Sequence, residues 1–204
     1  MLTSKQISFA GIMGSLSILI ASFNFWLAPR ILPGVAIDFT SLPVVLAGFF
    51  GGAIVGLITG LIAGIIPGIY FGFIGGILGI MGPISLMLGK AISGFTIGFL
   101  SRRIKIKKHP NIGAFLVVIL GFIPEAIWIT VLFLYIVPFL AFQGVLASKA
   151  ATLYPLILVP VLSKATFEFI SFALITSGLS GNAYFIQSVN LKFNLGYYTE
   201  VKTK

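Results

Sequence analysis

The chain contains no cysteine, a single histidine and only four acidic residues among its 204 positions. Without cysteine there are no disulfides, no thiolate metal site and no cysteine nucleophile. Charged residues of both signs make up 8% of the chain, against about 25% in an average soluble domain, and 58% of its residues are hydrophobic. A soluble globule of this length needs far more polar surface than these side chains supply. These shortages exclude a soluble enzyme, a secreted disulfide-stapled module and a disordered chain. Apolar length is what the chain has instead. Its mean hydropathy is +1.15, and at roughly 20 residues per membrane helix it holds five or six spans. The composition describes a multi-pass integral protein of the cell membrane.

The formal net charge of +9 is not spread as a nucleic-acid-binding surface would be. Arg102, Arg103, Lys105, Lys107 and Lys108 crowd into one short segment, ending at His109-Pro110. Such a run is the cytoplasmic charge bias of a membrane protein. The first apolar stretch, residues 6–28, is too long for a signal-peptide core and reads as a retained helix. Pro29, Pro33 and Gly34 end it. Between Phe39 and Gly89 no charged residue occurs, and a single straight helix of that length would reach roughly 75 Å, over twice the hydrocarbon core. The chain therefore turns back within this region, at Gly51-Gly52, Pro67-Gly68, Gly75-Gly76 or Gly82-Pro83. Placing the basic run inside requires an odd number of crossings after the first outer loop. The resulting expectation is one all-α membrane domain over residues 1–204. It has six transmembrane helices near 6–28, 40–51, 53–73, 83–101, 112–137 and 153–178, both termini cytoplasmic, and a cytoplasmic tail over 190–204.

Gly52, Gly56, Gly60, Gly64, Gly68, Gly72 and Gly76 recur every fourth residue. Residues four apart share a helix face, so the repeat makes a smooth groove for a close neighbour. Packing of the second to fourth helices against each other accounts for it; a sliding surface for a moving partner is the other reading. No Walker lysine accompanies the glycines.

Four ionisable residues fall within the expected helices: Lys90, Glu125, Lys164 and Glu168. Insertion scales put the cost of each at a few kcal/mol at the bilayer centre, so such side chains face a cavity or one another. By depth all four lie between the outer third and the midplane. Two readings stand side by side. In one, Lys164 pairs with Glu168 one turn away and Glu125 neutralises Lys90, with no ligand involved. In the other, they form a polar substrate-binding pocket open to the outside, with Trp128 on the Glu125 face to stack on a ligand ring. Asp38, the acid of the first outer loop, either caps the following helix or joins that site. Trp26, Tyr135 and Tyr154 fit an interfacial belt. His109 lies away from every intramembrane carboxylate, and no catalytic constellation, metal site, cofactor site or ATP motif is present; the chain reads as no enzyme.

Read together, several features resemble the substrate-binding S components of energy-coupling factor (ECF) vitamin transporters. They are the small-residue run Ala10-Gly11-Ile12-Met13-Gly14, the stretch Pro33 to Pro43 leading into a short second helix, the glycine-rich Gly51–Gly64 segment, and the basic loop after the fourth helix. The resemblance extends to about residue 178. It implies a six-helix protein that captures a micronutrient and docks on a transmembrane coupling (T) subunit driven by two ABC-type ATPases. Ala10 and Gly14 would form the docking surface. The implied cargo is a water-soluble vitamin. Riboflavin leads because Pro160 and Lys164 match its binders, although their asparagine is missing here; biotin, folate and pantothenate stay open. A free-standing proton-coupled carrier using Glu125 or Glu168 is the alternative, and a non-transporting scaffold a third reading.

Overall fold

The computed structural model describes residues 2–31, 38–74, 78–104, 110–136 and 147–193, and the side chains of all of these except 26–31, 147–155 and 190–193. Every regular element among them is helical. Helix α1 (Ser4–Ile31) starts where a reciprocal cap permits. The Thr3 N–H donates to Gln6 Oε1 at 3.0 Å and the Gln6 N–H donates to Thr3 Oγ1 at 3.3 Å, satisfying two amides that have no intrahelical partner. Helix α2 (Ser41–Gly51) is joined to α3 (Ala53–Ala63) by Gly52 alone, whose φ of 93° is open to glycine and strained for other residues. Helix α4 (Ile65–Ile69) and a wider π turn over Tyr70–Ile74 continue the α3 rod. Helix α5 covers Met81–Arg103, and α6 covers Pro110–Val131 with a π turn to Ile136. Helix α7 (Ala147–Gly181) is followed after one residue by α8 (Ala183–Phe193).

Five of these stretches are long and apolar enough to cross a bilayer: Ser4–Phe25, Ala53–Ile74, Met81–Arg103, Pro110–Ile136 and Leu156–Gly181. The sixth expected span is not one. Helix α2 has 11 residues, which at the α-helical rise reach about 16 Å, half the hydrocarbon thickness. The expected six-span bundle is thereby corrected to five spans and a half-length helix. Isoleucine, leucine and phenylalanine side chains such as Leu19, Phe23, Ile74, Ile127, Leu156 and Phe167 stand exposed around the bundle, as a lipid-facing perimeter requires.

The interior has an aromatic part and a glycine part. Phe9, Phe49, Phe50, Val117 and Phe172 belong to one buried cluster, with the Phe122 and Phe169 rings stacked at 4.3 Å. The every-fourth glycines form a seam between the α3–α4 rod and α5. A methyl group on Gly56 would strike the Gly94 carbonyl, one on Gly60 the Lys90 carbonyl, and one on Gly64 the Met87 backbone. Backbones this close leave no room for a side chain. Gly76 lies outside the described residues, as do Lys105, Lys107, Lys108, His109, Gln143 and the chain beyond 193. Of Trp26, Lys149, Tyr154 and Lys192 only the backbone is described.

One end of the bundle gathers Leu2, Gln6, Gly52, Arg102 and Arg103 around a common groove. Phe185 of α8 packs on Phe50 at that same end, ring centroids 5.4 Å apart, while Ser177 and Ser180 of α7 donate to the Asn111 and Pro110 carbonyls at the start of α6. Helix α2 ends at this basic face, so its amino end stops partway through the bundle, where the Ser17 hydroxyl meets the Thr40 carbonyl at 3.0 Å.

Candidate functional site

The aborted span sets up the site. Because α2 starts inside the bundle, the residues leading into it arrive at a depth where polar groups have no water. By helix rise, Ser17, Lys90, Glu125 and Glu168 all stand about 20 Å from the basic face. Five elements therefore bring polar side chains to one level.

Lys90 is 3% exposed and uses every ammonium proton. It donates to Asp38 Oδ2 at 2.9 Å, to Thr40 Oγ1 at 2.5 Å and to Ser41 Oγ at 2.7 Å. An ammonium has three donors and no acceptor, so this partner set is complete. Asp38 Oδ1 in turn accepts the Thr40 N–H at 2.9 Å and the Thr40 hydroxyl, bending the chain into the helix. Asp38 is thus a turn brace and counter-ion; Thr40, at the helix start, makes no side-chain cap. Burial by itself would raise the Asp38 pKa. The Lys90 ammonium, the Thr40 hydroxyl and the Lys164 charge outweigh burial and hold it at about 2, below its ordinary 3.8.

The network continues to α7. Glu168 Oε1 accepts the Asp38 N–H at 2.5 Å and faces Lys164 Nζ at 3.5 Å. Lys164, 24% exposed, is the most open member, while Glu168 is 8% exposed. From Lys164 through Glu168 and Asp38 to Lys90, one continuous chain of contacts links α7, the turn before α2, and α5.

Glu125 stands beside this chain on α6. Its side chain and the Trp128 ring both pack against Gly89, where a methyl group would meet Trp128 Cδ1 at 3.2 Å and Glu125 Cγ at 3.8 Å. Ser93 lies within hydrogen-bonding reach of Glu125, but its Oε2 is buried with no hydrogen-bond partner. The Trp128 indole N–H donates to the Ser85 carbonyl at 2.9 Å, which fixes the ring against α5. Three of the four acidic residues of the chain thus collect with two lysines at one level, and Lys90 takes Asp38 rather than Glu125 as its partner.

Sequence reasoning missed Thr40, Ser41, Ser93 and Ser17, the hydroxyls that surround the charges. The signal was present: Asp38, Thr40 and Ser41 fall within four positions just ahead of an apolar helix too short to span. Ala10 and Gly14 do not form an outer surface. Ala10 is 1% exposed, with its carbonyl accepting from Thr59 Oγ1 at 3.4 Å, and Gly14 packs against Ile62 of α3. Tyr135 is exposed. A groove of about 540 Å³ opens at the basic face, and one of about 340 Å³ follows α6 between Phe122 and Val131; Asp38, Lys90, Glu125, Lys164 and Glu168 line neither. Among the described residues, no group of three histidine, cysteine or acidic side chains is arranged to hold a metal ion.

A family model described as 5TMR of 5TMR-LYT matches residues 2–173. No curated protein and no solved structure matches the chain. The family match overturns the resemblance to ECF S components. Capture of riboflavin or another vitamin falls with it, as does docking on a T subunit with two ABC-type ATPases. It also agrees with five spans rather than six, and with a multi-pass membrane protein. The chain belongs to the 5TMR-LYT family, which takes its name from the five-transmembrane receptor of LytS-type histidine kinases.

Proposed function

We propose that this chain is the signal-receiving membrane domain of a LytS-type sensory system, and that the buried ionic chain is the element that receives the signal. Family membership over residues 2–173 supports the sensory role. The observation that carries the assignment to these residues is the run of contacts from Lys164 through Glu168 and Asp38 to Lys90. It ties together α7, the turn before α2 and α5 through charged and polar side chains alone. A polar solute or a charge change at the part-exposed Lys164 end alters the pairing of Glu168 and hence of Asp38. Because Lys90 has all three donors committed to the turn that heads α2, a shift there moves α2 relative to α5.

The positive-inside rule puts Arg102, Arg103 and the following lysines in the cytoplasm, so α2 carries the displacement to the cytoplasmic face. In this reading the chain is one membrane domain, it catalyses nothing itself, and its output partner is a kinase module of the LytS type. Two neighbouring packings that differ by a few kcal/mol are all that such a response needs.

The absence of cysteine makes the test direct. Spin labels on Leu46→Cys, half-buried on α2, and Phe95→Cys, exposed on α5, report the spacing of the two helices in nanodiscs. The expected result is a distance distribution that shifts in Lys164→Met and in Glu168→Gln. Identical distributions with and without these substitutions would reduce the network to a static brace and overturn the proposal.

A further inference from the structure

The groove at the basic face takes no part in the ionic chain, and its lining is of two kinds. Arg102 and Arg103 border it on one side, and Leu2, Ile54, Val55 and Phe99 make its walls apolar. Its volume of about 540 Å³ is far larger than a water site and is on the scale of a small-molecule pocket. The Arg102 guanidinium is held in place: its Nη2 donates to the Phe50 carbonyl at 3.3 Å. The guanidinium lies against the α2–α3 turn, where a methyl group on Gly52 would meet Nη2 at 3.4 Å. Arg103 lies over the Phe99 ring at 5.0 Å, so its charge is presented beside an apolar wall. Ala53, Ile54 and Val55, the first residues of α3, line the same groove.

The geometry points to a binding site for the headgroup of an anionic phospholipid, with the phosphodiester between Arg102 and Arg103 and the upper acyl chain against Ile54 and Phe99. A guanidinium offers paired donors that match phosphate oxygens. The mixed lining is what separates this ligand from a free anion. Inorganic phosphate has no use for Leu2, Ile54 and Phe99, whereas a lipid satisfies both kinds of wall at once. The position agrees as well. Ile54 and Phe99 are 55% and 44% exposed at the rim of the bundle, and the basic run that begins at Arg102 marks the level where anionic headgroups lie. The proposal is independent of the sensory reading, because it concerns a different end of the bundle and needs no conformational change.

Native mass spectrometry of the purified full chain, released from nanodiscs of mixed phosphatidylglycerol and phosphatidylcholine, tests it. At least one phosphatidylglycerol is expected to stay bound, retained about fivefold or more over phosphatidylcholine. The Arg102→Gln/Arg103→Gln pair should erase that preference. Arg103→Gln alone removes an exposed charge with little consequence for folding, and should weaken it. Ile54→Trp, which fills the groove while leaving both charges, should weaken it too. Equal retention of phosphatidylglycerol by wild type and the double variant would overturn the site. Displacement of the lipid by millimolar inorganic phosphate, with Ile54→Trp without effect, would overturn the lipid assignment in favour of a free anion.

Discussion

Helix α5 has two seams, and they are built on opposite principles. Along Gly82, Gly94 and Gly98 it meets the α3–α4 rod and α2 backbone to backbone, with no charge and no space. At Lys90 it meets the turn before α2 through hydrogen bonds among flexible side chains. The first contact is intolerant of any added atom. The second depends on which partners are charged, and its members can change partners without a change in volume. A membrane domain that moves needs both, a fixed half and an exchangeable half, and one helix supplies the junction between them.

The largest expected effect lies on the glycine side. Gly94→Leu forces the side chain into the Gly56 carbonyl and the Val44 methyl, and against backbone that cannot give way this is expected to go beyond the about 1–3 kcal/mol of ordinary overpacking and prevent the bundle from assembling. Loss of monodisperse protein in detergent is the readout, and Gly11→Ala, which meets nothing within 4 Å, should be neutral. If both substitutions behave alike, the contrast between the seams is wrong.

On the ionic side, Lys90→Met leaves Asp38 buried without its counter-charge, a loss of about 3–5 kcal/mol for a broken buried pair. Adding Asp38→Asn should recover most of it, because replacing both partners removes the uncompensated charge. A double-mutant cycle in thermal or denaturant unfolding checks this, and additive losses would show that the pair is not coupled.

A smaller and more pointed effect is expected with acid. Folding lowers the Asp38 pKa from 3.8 to about 2. Its contribution to stability is therefore complete above pH about 4 and is lost as pH falls through about 2. The stability gap between wild type and Asp38→Asn should stay constant from pH 7 to 4 and close only below. A gap that closes between pH 7 and 5 would assign the linkage to another group.

Much of this arrangement can be read from the chain, for reasons that differ by residue. The membrane class follows from composition. The seam follows from the four-residue glycine repeat, because helical periodicity maps spacing directly onto a face. The depth of Lys90, Glu125 and Glu168 follows from counting along apolar runs. Pairing does not follow, because it depends on where the Asp38 turn enters, and that is decided by the length of α2. An 11-residue helix reads as a short span when parity demands a crossing, and as half a span when its neighbours hold its amino end at the level of Ser17. Counting crossings by charge bias supplied the sixth helix where the chain has a partial one. The ECF resemblance failed for a related reason. Small residues near the start of α1 and a short glycine-flanked second helix are what any tightly packed bundle of this size requires, so they mark the packing and not the cargo. Pro67-Gly68 shows the same limit on a smaller scale, lying within α4 instead of breaking the rod.

The Lys90 anchor also bears on how the protein is made. Asp38 waits for a lysine 52 residues further along and a glutamate 130 residues further along. The segment that dips into the bilayer thus leaves the ribosome well before the lysine that neutralises its carboxylate and the glutamate that accepts its backbone N–H. It cannot settle in the apolar phase on its own, and must linger near the translocon or the lipid headgroups until α5 and then α7 are threaded. Assembly of this domain ends, on that schedule, at its most polar point.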